Sequence, residues 1–176
     1  AIDLTQAVSD EAVASSADVV VAYHPILFRP VRRLDANLPH DRAVMQLVRH
    51  NIAVHSPHTA LDAVNGGVND WLAQGVGAGK VSVLRPGETP RIGQGRRVEL
   101  VDAVSLAELV ERIKQHLGLE TVRTARGVGN RPIRTVALCA GAGAATFQDV
   151  AADCYLTGEM GHHHVLAAAA KGTHVV

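Results

Sequence analysis

Apolar positions along the chain switch several times between helical spacing and short unbroken runs. Ile2 to Leu4 suits a strand, Thr5 suits an N-cap, and Ala7 to Ser16 carries apolar residues at helical intervals. The apolar run Val19–Ala22, bounded by Asp18 and by Tyr23-His24-Pro25, predicts a strand buried on both faces. After the basic loop "RPVRRL", Asp41 to His50 holds Val44, Leu47 and Val48 on one helical face, and Ile52 to His55 reads as a short strand. "SPHTALDAVNGGVNDWLAQGVG" then predicts a Gly-Gly turn, a helix over Val68–Gln74 and a glycine stop at Gly75.

Residues 85–95, "RPGETPRIGQG", are rich in Gly and Pro and read as a linker. Beyond them a strand is expected at Arg97–Val101, a helix at Leu106–Leu117 and a short strand at Thr121–Arg123, followed by the turn-rich "RGVGNRP". The last third predicts strand Val136–Cys139, a Gly/Ala-rich turn, helix Phe147–Ala151, strand Cys154–Thr157, helix His163–Ala170 and strand His174–Val176. "ADVVVAYHP" from Ala17 and "ADCYLTGEM" from Ala152 share an Ala-Asp lead-in, an apolar strand and polar chemistry at its end, each followed by a helix and a second strand. The expected fold class is α/β, built from two similar α/β halves. Residues 1–84 form the first half, 85–132 a connecting segment and 133–176 the second half. "AIDLT" opens and "THVV" closes in mid-pattern, so the expectation is a fragment incomplete at both ends.

Composition narrows the class. A chain of 176 residues, 47% apolar and 19% charged, can bury one full core or two small halves that share one. Aromatic residues are only 3%, so that core is built from Val, Ala and Leu. Seventeen basic and seventeen acidic side chains cancel, which disfavours nucleic-acid binding as the main role, although Arg29, Arg32 and Arg33 form a local basic cluster. Cys139 and Cys154 lie in apolar runs and read as buried thiols in a reducing compartment. No apolar stretch approaches the roughly 20 residues that span a bilayer, and a soluble, cytoplasmic protein is expected, with a nuclear or mitochondrial pool allowed.

Open α/β sheets place working groups at the C-terminal ends of strands, where His24, His58, Asp62 and Glu159 all fall. His58 and Asp62 are four apart and share one face if "HTALD" is helical. Both can then face a divalent ion, or His58 can orient Asp62; equally, the stretch is a helix start capped by Ser56 or Thr59. Glu159, His162 and His163 have chelating spacing if the last helix begins early, and one of His162, His163 and His164 is expected to face the site. There is no phosphate-binding P-loop and no G-x-S-x-G elbow, and "GAGAAT" lacks the full dinucleotide fingerprint.

Taken in order, "AIDLT", "VVVAYHPILFRP", "SPHTALDAVNGGVNDWLA" and "YLTGEMGHHHVLAAAAKGTHVV" resemble the Nif-three-like family, also known as GTP cyclohydrolase 1 type 2 homologues. The resemblance covers essentially the whole chain and is nearest the eukaryotic branch, which also reads Tyr-His-Pro. It implies a dinuclear divalent-metal centre, of zinc, manganese or iron, between two similar halves of a subunit in a toroidal homo-oligomer. His24 matches the second histidine of the family's His-His-Pro, and Asp62 the aspartate of its His-Thr-x-x-Asp; both would be metal ligands. Tyr23 stands where the family has its first histidine, so one metal position lacks an imidazole. Family members continue past the final strand into a Gly-His-x-x-Thr-Glu-like motif that completes the shell. The implied function is a metal-dependent hydrolase acting on a nucleotide or another phosphorylated or cyclic amide-like small molecule, with Glu159 or His58 moving protons. The alternative is a non-catalytic regulatory protein with a vestigial site and transcription-factor partners.

Overall fold

The computed structural model describes residues 1–176, which form two compact units, Ala1–Ala60 and Leu61–Val176. In the first unit, helix α1 (Gln6–Ala14) starts at Thr5, whose Oγ1 accepts from the Val8 amide at 3.4 Å, as the Thr5 cap predicts. Strand β1 (Val19–Val21) pairs in parallel with β2 (Ala53–His55) across the crossover helix α2 (Pro39–Arg49). Leu4, Ala12, Val20, Ala22, Ala43, Leu47 and Ile52 form the core between these helices and one face of the pair. The expectation that β1 is buried on both faces is corrected here. Val20 is buried while Val19 and Val21 are 54% and 56% exposed, because within this unit the helices cover one face only.

At the start of α2, His40 Nδ1 lies 2.9 Å from Asp41 Oδ1 and Nε2 lies 2.5 Å from the Ile26 carbonyl oxygen. The Asp41 bond, then the Ile26 bond, raises the His40 imidazole above its ordinary range. A raised folded-state value means that this contribution is fully present below the unfolded value of about 6.5 and lost as pH rises through the folded one. Urea unfolding should therefore show stability falling from pH 6 toward 8 in the wild type. His40→Gln should flatten that slope, and an unchanged slope would remove His40 as its source.

The second unit holds a five-stranded sheet in the order β3 (Gly79–Pro86), β4 (Gly93–Val104), β5 (Ile133–Ala142), β6 (Cys154–Glu159), β7 (His174–Val175). The pairings β3–β4 and β4–β5 are antiparallel; β5–β6 and β6–β7 are parallel. Residues 85–95 are thus no linker. Their glycines and prolines turn the β3–β4 hairpin, and the chain divides at residue 60 rather than at the expected 84 and 132. Helices α4 (Val68–Gln74) and α5 (Leu106–Leu117) pack Leu72, Ala73, Leu109 and Ile113 on Val98, Val136, Leu138 and Leu156. Ala137 and Cys139, one residue out of step, face the opposite layer with Phe147, as the period of two requires. Alternation buried on both faces is what keeps β5 almost entirely apolar.

Helix α5 carries both signals its sequence predicts: Ser105 Oγ accepts from the Glu108 amide at 3.1 Å, and Gly118 ends it at φ 65°. The expected helix at Phe147–Ala151 is instead a run of turns, and Thr121–Arg123 is not a strand. Helix α6 (His162–Ala170) links β6 to β7. The expected internal repeat has a counterpart in register. Val19 of β1 faces Ala53 and Cys154 of β6 faces His174, and in each case the carbonyl of the preceding aspartate accepts from the partner strand: Asp18 from Ala53 at 2.9 Å, Asp153 from His174 at 2.8 Å. Both cysteines are buried and unpaired, and burial pushes the Cys154 thiol up to about 12. No helix is long and apolar enough to cross a membrane.

Candidate functional site

β1 ends at Val21, and Pro25, with no amide hydrogen to offer a ladder, stands just beyond it. Residues 1–3 run beside this stretch: the Tyr23 and His24 amides donate to the Ala1 and Ile2 carbonyls, each at 3.0 Å. That pairing delivers Asp3 to His24, with Asp3 Oδ1 and His24 Nδ1 2.8 Å apart. A carboxylate only accepts, so Nδ1 carries the proton, and in the neutral ring Nε2 is the lone-pair nitrogen. Both side chains are open to solvent, at 46% exposure for His24 and 66% for Asp3.

His58 is the first residue of the short helix α3 (His58–Ala63), and its amide donates to the Tyr23 carbonyl at 3.1 Å. Its ring meets His24 edge to face at 5.5 Å between centroids, Tyr23 at 5.7 Å and Phe28 at 5.8 Å. It is also held at φ 35°, a region that non-glycine residues seldom occupy and that costs of order 1 kcal/mol or more. His58→Gly should be more stable than His58→Ala by about 1 kcal/mol, since both lose the ring and only glycine fits the backbone. Equal melting temperatures for the two variants would show that the backbone relaxes without strain.

Asp62 lies on α3, the short helix that "HTALD" forms. Within the second unit its backbone oxygen accepts from Asn69 Nδ2 at 3.0 Å. Burial raises the Cys139 thiol, the Thr146 hydroxyl opposes this, and the Asp62 carboxylate adds to the rise. Glu159, the last residue of β6, pairs with Ala142 of β5 at the same strand ends and is exposed. The expected chelating spacing of Glu159, His162 and His163 is corrected: Glu159 belongs to the strand and α6 starts only at His162, so helical periodicity does not connect them. His164 instead lines a cleft with Phe147, Tyr155, Met160 and Lys171 on the sheet face.

Sequence reasoning missed Asp3, whose only signal was an acidic residue in an otherwise apolar lead-in. It also missed Asn69 and Arg96, polar residues in stretches read for their glycines and strand pattern. Imidazole and carboxylate donors of this kind suit zinc, manganese or iron, and the Asp3 contact on His24 Nδ1 is the outer-shell partner that metal-bound histidines have. In donor chemistry the residues fit such an ion. No three His, Cys, Asp or Glu side chains gather as an ion-sized group, so these donors alone do not make a closed shell.

A sequence profile of the family Duf34/NIF3 (NGG1p interacting factor 3) matches residues 1–176. The protein NIF3 homolog of Schizosaccharomyces pombe is 41% identical over 184 aligned residues, covering 99% of this chain and 66% of the relative. A GTP cyclohydrolase 1 type 2 homolog of Streptococcus pneumoniae is 32% identical, with 93% of this chain and 63% of the relative covered. The chain therefore spans slightly less than two thirds of the length of either relative. A crystal structure of a Staphylococcus aureus protein superposes with a TM-score of 0.81 at 25% identity, covering 99% of this chain and 71% of that one. With the profile matched from end to end, and the same α/β architecture in that structural neighbour, the chain belongs to the Duf34/NIF3 family.

Proposed function

We propose that the chain carries the metal-binding residues of a divalent-metal-dependent hydrolase of the GTP cyclohydrolase 1 type 2 kind. The observation that carries this reading is the Asp3–His24 pair at 2.8 Å, an imidazole oriented through Nδ1 with Nε2 left for an ion. The reading assigns His24 and Asp62 as ligands of zinc, manganese or iron. Such an ion, when bound, supplies an activated water and polarises the bond under attack. His58 and Glu159 are the proton carriers: His58 has its ring against His24, and Glu159 is solvent-accessible at the end of β6. The name of the Streptococcus pneumoniae relative supports a nucleotide, or another phosphorylated or cyclic amide-like molecule, as substrate. A toroidal homo-oligomer in the cytoplasm is the proposed setting.

Elemental analysis tests the reading. The protein should hold stoichiometric metal, lost in His24→Ala and in Asp62→Ala while assembly persists. A second reading, a non-catalytic interaction protein with a vestigial site, is favoured by Tyr23 in the place of the family's first histidine and by the family description, NGG1p interacting factor 3. Its partners would be transcription-related proteins. Metal-free protein with intact assembly would support that second reading and remove the first.

A further inference from the structure

The segment around Asp62 is fixed by two polar side chains that are almost wholly buried. Asn69 is 1% exposed; its Nδ2 donates to the Asp62 carbonyl at 3.0 Å, and its Oδ1 accepts from the Ala140 amide at 2.8 Å. Ala140 follows Cys139 in β5, so one side-chain amide ties α3 to the strand end where the Asp62 charge is felt. Arg96 of β4 is 2% exposed, and its Nη2 donates to the Ala63 and Val64 carbonyls at 3.3 and 3.1 Å. Its Nη1 holds the Gly93 and Gly95 carbonyls at 2.8 and 2.9 Å. Nε and Nη2 grip Asp70 at 2.5 and 3.1 Å, and Asp70 in turn accepts from the Gly66 amide at 2.6 Å.

The last carbonyls of a helix have no partner within it, and a six-residue helix has little stability of its own. Here the carbonyls of residues 62, 63 and 64 are all taken by side chains rooted in the sheet or in α4. An apolar plug would fill the same space, but a fully satisfied polar network admits a single arrangement. The geometry points to Asn69 and Arg96 as positioning residues for Asp62: they fix the end of α3, and with it the carboxylate, against β5. This rests on the reading of Asp62 as a metal ligand.

The test is Mn2+ titration of the protein, read by electron paramagnetic resonance, with thermal melting run in parallel. Asn69→Asp keeps an acceptor for the Ala140 amide but sets an oxygen against the Asp62 carbonyl. It should weaken Mn2+ binding about tenfold or more, the usual cost of disturbing an outer-shell partner. Arg96→Lys keeps the charge, loses the fork, and carries the test where Asn69→Asp does not fold. Asp153→Ala removes the acceptor for Arg134 and Thr135 at the other end of β5; it should lower the melting temperature and leave Mn2+ affinity unchanged. Wild-type affinity in both clamp variants, with binding abolished in Asp62→Ala, overturns the positioning role alone. Unchanged Mn2+ binding in Asp62→Ala, or none in the wild type, overturns the ligand reading and the inference with it.

Discussion

Asp70→Ala is expected to destabilise the protein by about 3 kcal/mol, enough to threaten a domain whose whole stability is about 5–15 kcal/mol. The cost comes from what is left behind. Arg96 is 2% exposed and cannot lose its charge, so without Asp70 its guanidinium faces only carbonyl oxygens. The Gly66 amide loses its acceptor in the same substitution. Urea unfolding should show a lower midpoint with unchanged slope, and a shift worth less than about 1 kcal/mol would mean that water replaces the carboxylate at little cost. The pair also makes stability depend on acid. The Arg96 hydrogen bond holds the Asp70 carboxyl below its usual range against the effect of burial, helped by the Gly66 amide. A depressed folded-state value gives stability present above the unfolded value of about 4 and lost as pH falls through the folded one. Asp70→Ala should remove that part of the acid-side slope.

The second large effect is expected at Asp3. Asp3→Ala removes the acceptor for His24 Nδ1, freeing the ring to turn and to place its proton on either nitrogen. If His24 binds the metal, affinity should fall about 10- to 100-fold, read by competition with a zinc chelator. Asp3 is largely solvent-exposed, so the melting temperature should barely move. Asp3→Asn should lie between, since its carbonyl still accepts from Nδ1. Equal zinc affinity across all three proteins would show that the Asp3 contact does not serve the ion.

What could be read in advance was whatever depends on neighbours in sequence. Thr5, Ser105 and Gly118 act within one turn of their own helices, so those helix ends were legible. The helix at Val68–Gln74 was legible for a similar reason, its bounds set by Gly67 and Gly75. The hairpin was not, because Gly and Pro at 85–95 mark a turn and a linker alike; only the pairing of Lys80 with Glu99 and of Ser82 with Arg97 tells them apart. The turns at 143–149 imitate a helix in sequence because Phe147, buried, and Val150, half-buried, stand at helical spacing, while the backbone there makes a single helical bond, Phe147 to Gly143, and then only tighter turns. At the candidate site, His24 could be picked out as an imidazole at a strand's end. Its partner Asp3 is 21 residues away, and Asn69 is 71 residues from Ala140, so those contacts exist only once the chain has crossed itself.

The two edges of the five-stranded sheet have unequal fates. At β7 the Ala125 and Val175 amides exchange hydrogen bonds with each other's carbonyls at 2.8 and 2.9 Å, and His174, 1% exposed, fastens the same loop through Gly127 and Arg131. That border is closed to any foreign strand. At β3 alternate residues of an eight-residue strand offer their amides and carbonyls outward, with Val81 47% exposed and only Lys80, Arg85 and the terminal Pro86 to discourage a visitor, Arg85 being engaged with the Thr146 and Gln148 carbonyls. Solubility at high concentration is therefore governed by one margin of the sheet, and a lost charge at Lys80 would weigh more on aggregation than the same loss elsewhere on the surface.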